Sequence, residues 1–284
     1  MNSIVNKKKS KNDSIDNFAL FGNPVNHSMS PNIYKNFSKE QGIPLKYKLI
    51  NVCENNLIKE MELFFSLKNS KGANITVPFK ETVVHICNSL TDRAKVSNSV
   101  NVIKKLSNGT LLGDNTDGVG LIHDLKTKKF IDKKSNILIL GAGGAALGII
   151  SVLLEIGSTV FIWNRTIEKA KVLEKRFKHL GDVFYLNFFN KKIHEKKFNL
   201  IINATSCSMK NQIPDFPKYL ISSNTYCYDL FYSRKNTVFT KFCKKNGAIH
   251  CSDGKGMLVS QAAFAFFLWY NKFPNISSSM DSVF

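Results

Sequence analysis

The chain has 284 residues, of which 43% are hydrophobic and 11% aromatic, which excludes a disordered protein and supplies a sizeable core for one large domain or two modest ones. Forty basic residues against 21 acidic ones give a formal charge of +19, yet only four of the forty are arginine (Arg93, Arg165, Arg176, Arg234). A nucleic-acid reader relies on arginine for bidentate contacts, so compositional drift toward lysine explains the charge better than a nucleic-acid footprint, although a positive field also gathers anionic small molecules.

Residues 1–16 are polar and basic, with Lys7-Lys8-Lys9 and no apolar stretch, and are expected to form a disordered tail rather than a secretory signal. Phe18 to Gly22 reads as a strand ending in a Gly-Asn-Pro turn, and Pro31 after Ser30 opens a helix to about Gln41. Tyr47 to Val52 reads as a strand, and 54–68 as a helix with Leu57, Met61, Phe64 and Phe65 on one face. Ala73 to Val77 is a short strand stopped by Pro78, with Ile75 and Val77 toward the core, and a helix is expected from Lys80. Val100 to Ile103 and Leu111 to Gly113 flank Asn108-Gly109, a hairpin signal.

Beyond Asp117 the pattern changes. A helix at 118–130 leads into strands at 137–140, 159–163, 200–203 and 226–230, with helices at 144–156 and 166–179 between them. Strands alternating with helices of this length imply a parallel, doubly wound sheet. The apolar run 137–154 is long enough to span a membrane, but Gly141, Gly143 and Gly144 break it into a strand, a turn and a helix, so no membrane association is expected. A last apolar helix covers about Met257 to Tyr270 and must pack on something. The six cysteines show neither a CxxC pair nor a zinc-like spacing, which fits free thiols in a reducing compartment, the cytoplasm, and no metal site.

Gly141-Ala142-Gly143-Gly144-Ala145-Ala146 matches GxGxxA between a buried strand and an apolar helix, the context in which this turn binds a dinucleotide pyrophosphate. A plain tight βα turn is the alternative. After the next strand stand Asn164-Arg165-Thr166, with no carboxylate before Glu168. Arg165 could clamp a 2′-phosphate, Thr166 could donate a hydroxyl and Lys169 could add charge, so NADP(H) is expected rather than NAD(H).

Four polar clusters fall on loops or strand ends: His27-Ser28-Met29-Ser30, Asn74 to Lys80, Asn101, and Asn115-Thr116-Asp117-Gly118. Asn74 and Thr76, two apart on a strand, share a face that could hold a polyhydroxylated ligand. Each has a plainer alternative: Ser28 and Ser30 as helix caps, Asn115 and Asp117 as turn formers, Lys80 as one more solvated lysine.

In order, the blocks GNPVNHSMSP, GANITVPFKE, GDNTDGVG, GAGGAA, NRT, NATS, YDLFY and DGKGMLVSQAA resemble the shikimate dehydrogenase family of the bacterial single-function type, from Phe18 to about Pro274. The resemblance implies an α/β protein of two domains: 17–117 with 254–284 binding the substrate, and a Rossmann-like NADP-binding domain at 118–253. It implies reversible NADPH-dependent reduction of 3-dehydroshikimate to shikimate. Ser28 and Ser30 are then expected to bind the substrate carboxylate; Asn74, Thr76, Asn101, Tyr232 and Gln261 to contact the substrate; and Lys80 with Asp117 to form the catalytic pair. The implied cofactor positions are Asp92, Gly141, Ala142, Gly143, Gly144, Ala145, Asn164, Arg165, Thr166, Lys169, Leu230 and Gly254. Val102, Cys207-Ser208, Lys255 and Lys169 depart from common family residues without removing a group of chemical role. A homodimer is left open. The competing expectations are a quinate/shikimate dehydrogenase using NAD(H), and a non-catalytic dinucleotide-sensing or nucleic-acid-binding module.

Overall fold

In the computed structural model, which describes residues 15–187 and 196–284, the chain forms two six-stranded sheets. The first is built from β1 (Asp16–Gly22), β2 (Leu45–Asn51), β3 (Ser70–Ile75), β4 (Ser89–Leu90), β5 (Val102–Lys105) and β6 (Leu111–Asp114), in the order β2-β1-β3-β5-β6-β4. β1 lies parallel between β2 and β3, and β5 and β6 form the antiparallel hairpin that Asn108-Gly109 signals. Alternation along the strands divides the core. Ala19, Phe21, Ala73 and Ile75 pack with Leu57, Met61 and Phe64 of α2 (Leu57–Ser66). Phe18 on the other face meets Ile33, Tyr34 and Phe37 of α1 (Ser30–Gln41).

The second sheet comprises β7 (Asn136–Leu140), β8 (Thr159–Trp163), β9 (Val183–Tyr185), β10 (Leu200–Asn203), β11 (Tyr226–Asp229) and β12 (His250–Ser252), in the order β12-β11-β10-β7-β8-β9. Every pairing in it is parallel. The strand order reverses between β7 and β10, and ligands of such sheets bind beyond the strand ends at that point. The helices here are α4 (Asp117–Thr127), α5 (Gly144–Glu155), α6 (Ile167–Phe177) and α7 (Val238–Lys245). Beyond them, α8 (Lys255–Tyr270) crosses to the first sheet, where Val259, Phe266 and Trp269 bury against Phe18 and α1. It is apolar on nearly every side because it is enclosed from both directions. Gly120 brings α4 and α8 together: a Cβ there would lie 2.6 Å from the Gln261 backbone nitrogen.

Several expectations change. Residues 1–14 of the expected tail lie outside the described residues, but Asp16 already belongs to β1 and accepts a hydrogen bond from the Tyr270 hydroxyl. Lys80 opens no α-helix; a turn leads into a short 3-10 helix, Thr82–His85. Its Thr-Val-Val run is β-branched, a poor α-helix start, while Val83 and Val84 bury into the core. β3 ends at Ile75, so Val77 faces outward, 55% exposed, rather than toward the core. The short elements β4, β9, β12, α3 (Asp92–Ser97), α7 and α9 (Ile276–Val283) were not expected from the sequence.

Candidate active site

Lys80 sits in the turn after β3, and its carbonyl accepts from the Val100 amide at 2.8 Å. Its ammonium lies 2.6 Å from Oδ2 of Asp117, with the two side chains only 14% and 7% exposed. Asp117 is the first residue of α4, where the helix dipole favours a carboxylate. Its other oxygen accepts from Asn101 Nδ2 at 2.8 Å, and that nitrogen also lies 3.2 Å from Gln261 Oε1. The Thr116 amide donates to Asn101 Oδ1 at 2.8 Å, fixing which way the amide group points. Beneath this turn the wholly buried Asp114 accepts from Arg93 Nε and Nη2 (2.6 and 2.5 Å), from the Thr91 hydroxyl (2.5 Å) and from the Asn115 amide (2.7 Å). A buried carboxylate with four donors is a rigid anchor, so the segment carrying Asp117 is held from below.

A second group lines the same cleft. The Ser28 hydroxyl donates to Ser30 Oγ at 3.0 Å and accepts from the Ser30 amide at 3.2 Å. Neither serine caps α1 in the expected way, since Met29 holds the cap position without a side-chain bond. The Met29 amide donates to the Tyr232 hydroxyl at 3.4 Å, which brings the loop after β11 to the serine loop; burial pushes the Tyr232 phenol up from its ordinary range. Asn74 Oδ1 accepts from the Tyr47 hydroxyl at 2.8 Å, and Asn74 Nδ2 donates to the Asn101 carbonyl at 3.2 Å. Thr76 follows β3, half-buried, with its amide on the Phe21 carbonyl at 2.9 Å. Tyr47 is the member of this group that sequence reasoning missed. A tyrosine at an inward position of an alternating strand reads as core, and no local motif marks it.

The glycine turn faces this cluster. Gly141 has φ +113°, a conformation that favours glycine, and its amide donates to the Trp163 carbonyl at 2.7 Å. Gly143 is the N-cap of α5 and no side chain bonds the helix start, so the first amides of α5 stay free for an anion. Ala142 and Ala145, half-buried, flank this opening. A Cβ on Gly144 would lie 3.8 Å from Lys80 Cβ, so the turn and the lysine meet face to face. After β8, Asn164 Nδ2 donates to the Thr166 carbonyl at 2.8 Å, while Arg165, Thr166 and Lys169 are exposed around it with no carboxylate at 164–167. Leu230 and Gly254 abut: a Cβ on Gly254 would lie 2.3 Å from the Leu230 carbonyl oxygen. The loops after β10 and β11 are tied by Asp229, wholly buried, which accepts from Ser208 (2.6 Å), Asn203 (3.0 Å) and the Phe231 amide (3.2 Å); burial raises its carboxyl above the usual range. These features fit a dinucleotide with a 2′-phosphate. Asp92 begins α3 with its carboxylate in solvent, 3.2 Å from Lys95.

Two family models match the chain. "Shikimate dehydrogenase substrate binding domain" covers residues 20–103, and "Shikimate / quinate 5-dehydrogenase" covers 124–213. A curated relative from Blochmanniella pennsylvanica, named shikimate dehydrogenase (NADP(+)), is 45% identical over 94% of this chain and 97% of its own length. A protein of the same name from Buchnera aphidicola subsp. Baizongia pistaciae is 49% identical over 93% and 94%. Among solved structures, shikimate dehydrogenase from Aquifex aeolicus superposes with a TM-score of 0.85 at 34% identity, over 95% of this chain and 97% of that one. The Thermus thermophilus enzyme, solved in complex with NADP(H) and shikimate, superposes at 0.84 with 28% identity, over 95% and 98%. The motif order, the two sheets and relatives of this identity over almost the whole length lead to one assignment: the chain belongs to the shikimate dehydrogenase family.

Proposed function

We infer that the chain is an NADP-dependent oxidoreductase that reversibly reduces 3-dehydroshikimate to shikimate, in the pathway to chorismate and the aromatic amino acids. The observation that carries this reading is the juxtaposition of a phosphate-binding turn with a lysine–aspartate pair: Gly144 faces Lys80, and Lys80 meets Asp117 at 2.6 Å.

In the reading proposed here, the Ser28 and Ser30 hydroxyls hold the substrate carboxylate. Asn74, Thr76, Asn101, Tyr232 and Gln261 orient the ring through its hydroxyls. When bound, NADPH would supply the hydride for the C3 carbonyl carbon. The Lys80 ammonium gives its proton to the oxygen that becomes the C3 hydroxyl, and takes it back in the oxidative direction. Asp117 holds that ammonium in place and accepts from a neighbouring substrate hydroxyl. The free amides at the start of α5 would hold the pyrophosphate, and Arg165, Thr166 and Lys169 the 2′-phosphate. The same reading assigns 17–117 with 254–284 to the substrate and 118–253 to the cofactor.

The NAD-linked quinate reading is not favoured, because the curated relatives carry NADP(+) in their names and no carboxylate stands at 164–167 to take a free ribose 2′-hydroxyl. A non-catalytic module has no use for a lysine held against a carboxylate in a cleft. A cytoplasmic location and a homodimer belong to the same proposal, to be tested by fractionation and sedimentation; no helix among the described residues is long and apolar enough to cross a membrane. The test of the activity is NADPH oxidation on adding 3-dehydroshikimate, with NADH as control. Rapid oxidation of NADPH alone supports the reading, and no oxidation of either cofactor refutes it.

A further inference from the structure

We infer that Tyr228 is a positioning residue for Gln261: its buried hydroxyl ties the start of α8 to Asp124 of α4, so that a strand of the second sheet sets where Gln261 stands in the substrate cleft. The inference rests on the proposed reaction and extends it to a residue buried away from the cleft.

Tyr228 lies on β11, with no exposed surface. Its hydroxyl donates to Asp124 Oδ2 at 2.7 Å and accepts from the Met257 amide at 3.3 Å. Asp124, itself buried, stands on α4 two turns after Asp117, and its other oxygen pairs with Lys128. Met257 is the third residue of α8, one turn before Gln261. The two helices are in close contact at both points. A Cβ on Gly256 would run into the Asp124 carboxylate, and one on Gly120 would meet the Gln261 backbone. One phenol therefore joins β11, α4 and α8 at their crossing.

The donor count fixes what the hydroxyl does. A carboxylate accepts and an amide N–H donates, so the single phenol proton goes to Asp124 and a lone pair takes the Met257 amide. Burial, with the Asp124 charge beside it, pushes the phenol above its ordinary range, so the proton stays in place. The amides of the first turn of a helix lack partners within it, and Tyr228 supplies one from outside. The Leu258 carbonyl, next along this turn, accepts from Gln261 Nε2 at 2.9 Å. Gln261 Oε1 in turn faces Asn101 Nδ2 at 3.2 Å, which leaves the second Nε2 hydrogen for a substrate oxygen. Without the phenol hydroxyl the first turn of α8 shifts, the Leu258 carbonyl moves with it, and the Gln261 amide loses its direction. A second tie, His123 Nδ1 to Ser260 Oγ at 3.1 Å, keeps the helices together. The Lys80–Asp117 pair is held separately by Asn101 and Asp114.

The test is Tyr228→Phe, which removes the hydroxyl and keeps the ring. It is made in the otherwise natural enzyme and again in a Gln261→Ala background, with kcat and both KM values measured well below each thermal midpoint. The expected result in the natural background is a shikimate KM about three- to tenfold higher, with kcat within about threefold and the NADP+ KM unchanged. In the Gln261→Ala background the same change should shift the shikimate KM by less than about twofold, because the positioned group is already gone. A lowered midpoint with an unchanged shikimate KM, an equal effect in both backgrounds, or a rise in both KM values overturns the inference. Hydrogen exchange reads the bond without a variant: the Met257 amide should exchange slowly in the natural enzyme, and rapid exchange there also overturns it. A natural enzyme with no shikimate oxidation at all overturns the functional reading, and this inference with it.

Discussion

Lys80 and Asp117 are 37 positions apart in the chain, yet their charged groups meet at 2.6 Å in a largely closed cleft. One stands in the turn after β3 and the other opens α4, so the contact exists only because α4 is anchored against the first sheet through Asn101 and Asp114. The glycine turn of the second sheet completes the arrangement from across the cleft.

Cofactor choice turns on the exposed Arg165 after β8. Arg165→Ser removes the guanidinium proposed for the 2′-phosphate. A hydrogen-bonded charge pair is worth about 1.5–3 kcal/mol, so the NADPH KM should rise about ten- to a hundredfold, with the NADH KM hardly moved. Steady-state kinetics with both cofactors checks this; an unchanged NADPH KM would remove the assignment.

Ser28→Ala deletes one hydroxyl of the proposed carboxylate site and leaves the Lys80–Asp117 pair intact. The shikimate KM should rise by about ten- to a hundredfold, with a smaller effect on kcat. A defect confined to kcat contradicts the role.

Arg93→Ala leaves the wholly buried Asp114 without its two guanidinium donors. The loss in stability should be about 2–3 kcal/mol, below the range for a fully enclosed pair because the Arg93 side chain is itself 35% exposed. Denaturant unfolding measures it. Since Asp114 holds the turn before Asp117, kcat should also fall in the folded variant; a variant as stable as the natural chain would show that the pair anchors nothing.

Burial pushes the Cys87 thiol up to about 12, so almost no thiolate is present near pH 8, whereas Cys53 is exposed. A thiol-reactive disulfide reagent at pH 8 should label Cys53 in the folded enzyme and leave Cys87 untouched until denaturant is added. Peptide mapping after timed labelling decides it. Raising the pH toward 12 should bring Cys87 into reaction, as its proton is then lost.

Much of the arrangement was legible because local pattern and chemistry coincide. The GxGxxA turn after a buried strand marks the start of the parallel sheet, and the hairpin over Asn108-Gly109 follows from its turn residues. Lys80, Asn101, Asp117 and Gln261 stand on separate stretches, and the structure brings all four together. What escaped depends on contacts rather than pattern. α7 and β12 are too short to show a period, and their place comes from packing beside β11. The helix expected at Lys80 gave way to a 3-10 turn because Val83 and Val84 reach the core that way. The Tyr47 hydroxyl bonds Asn74, 27 positions away, a contact no window of sequence displays.

The most direct measurement is the turnover of Lys80→Ala set beside its NADPH affinity. With the ammonium gone, proton transfer to the emerging hydroxyl loses its donor, so kcat should fall about 10²–10⁴-fold while the NADPH dissociation constant stays as in the natural enzyme. A variant that turns over at the natural rate, or one whose NADPH binding falls as far as its rate, contradicts the account.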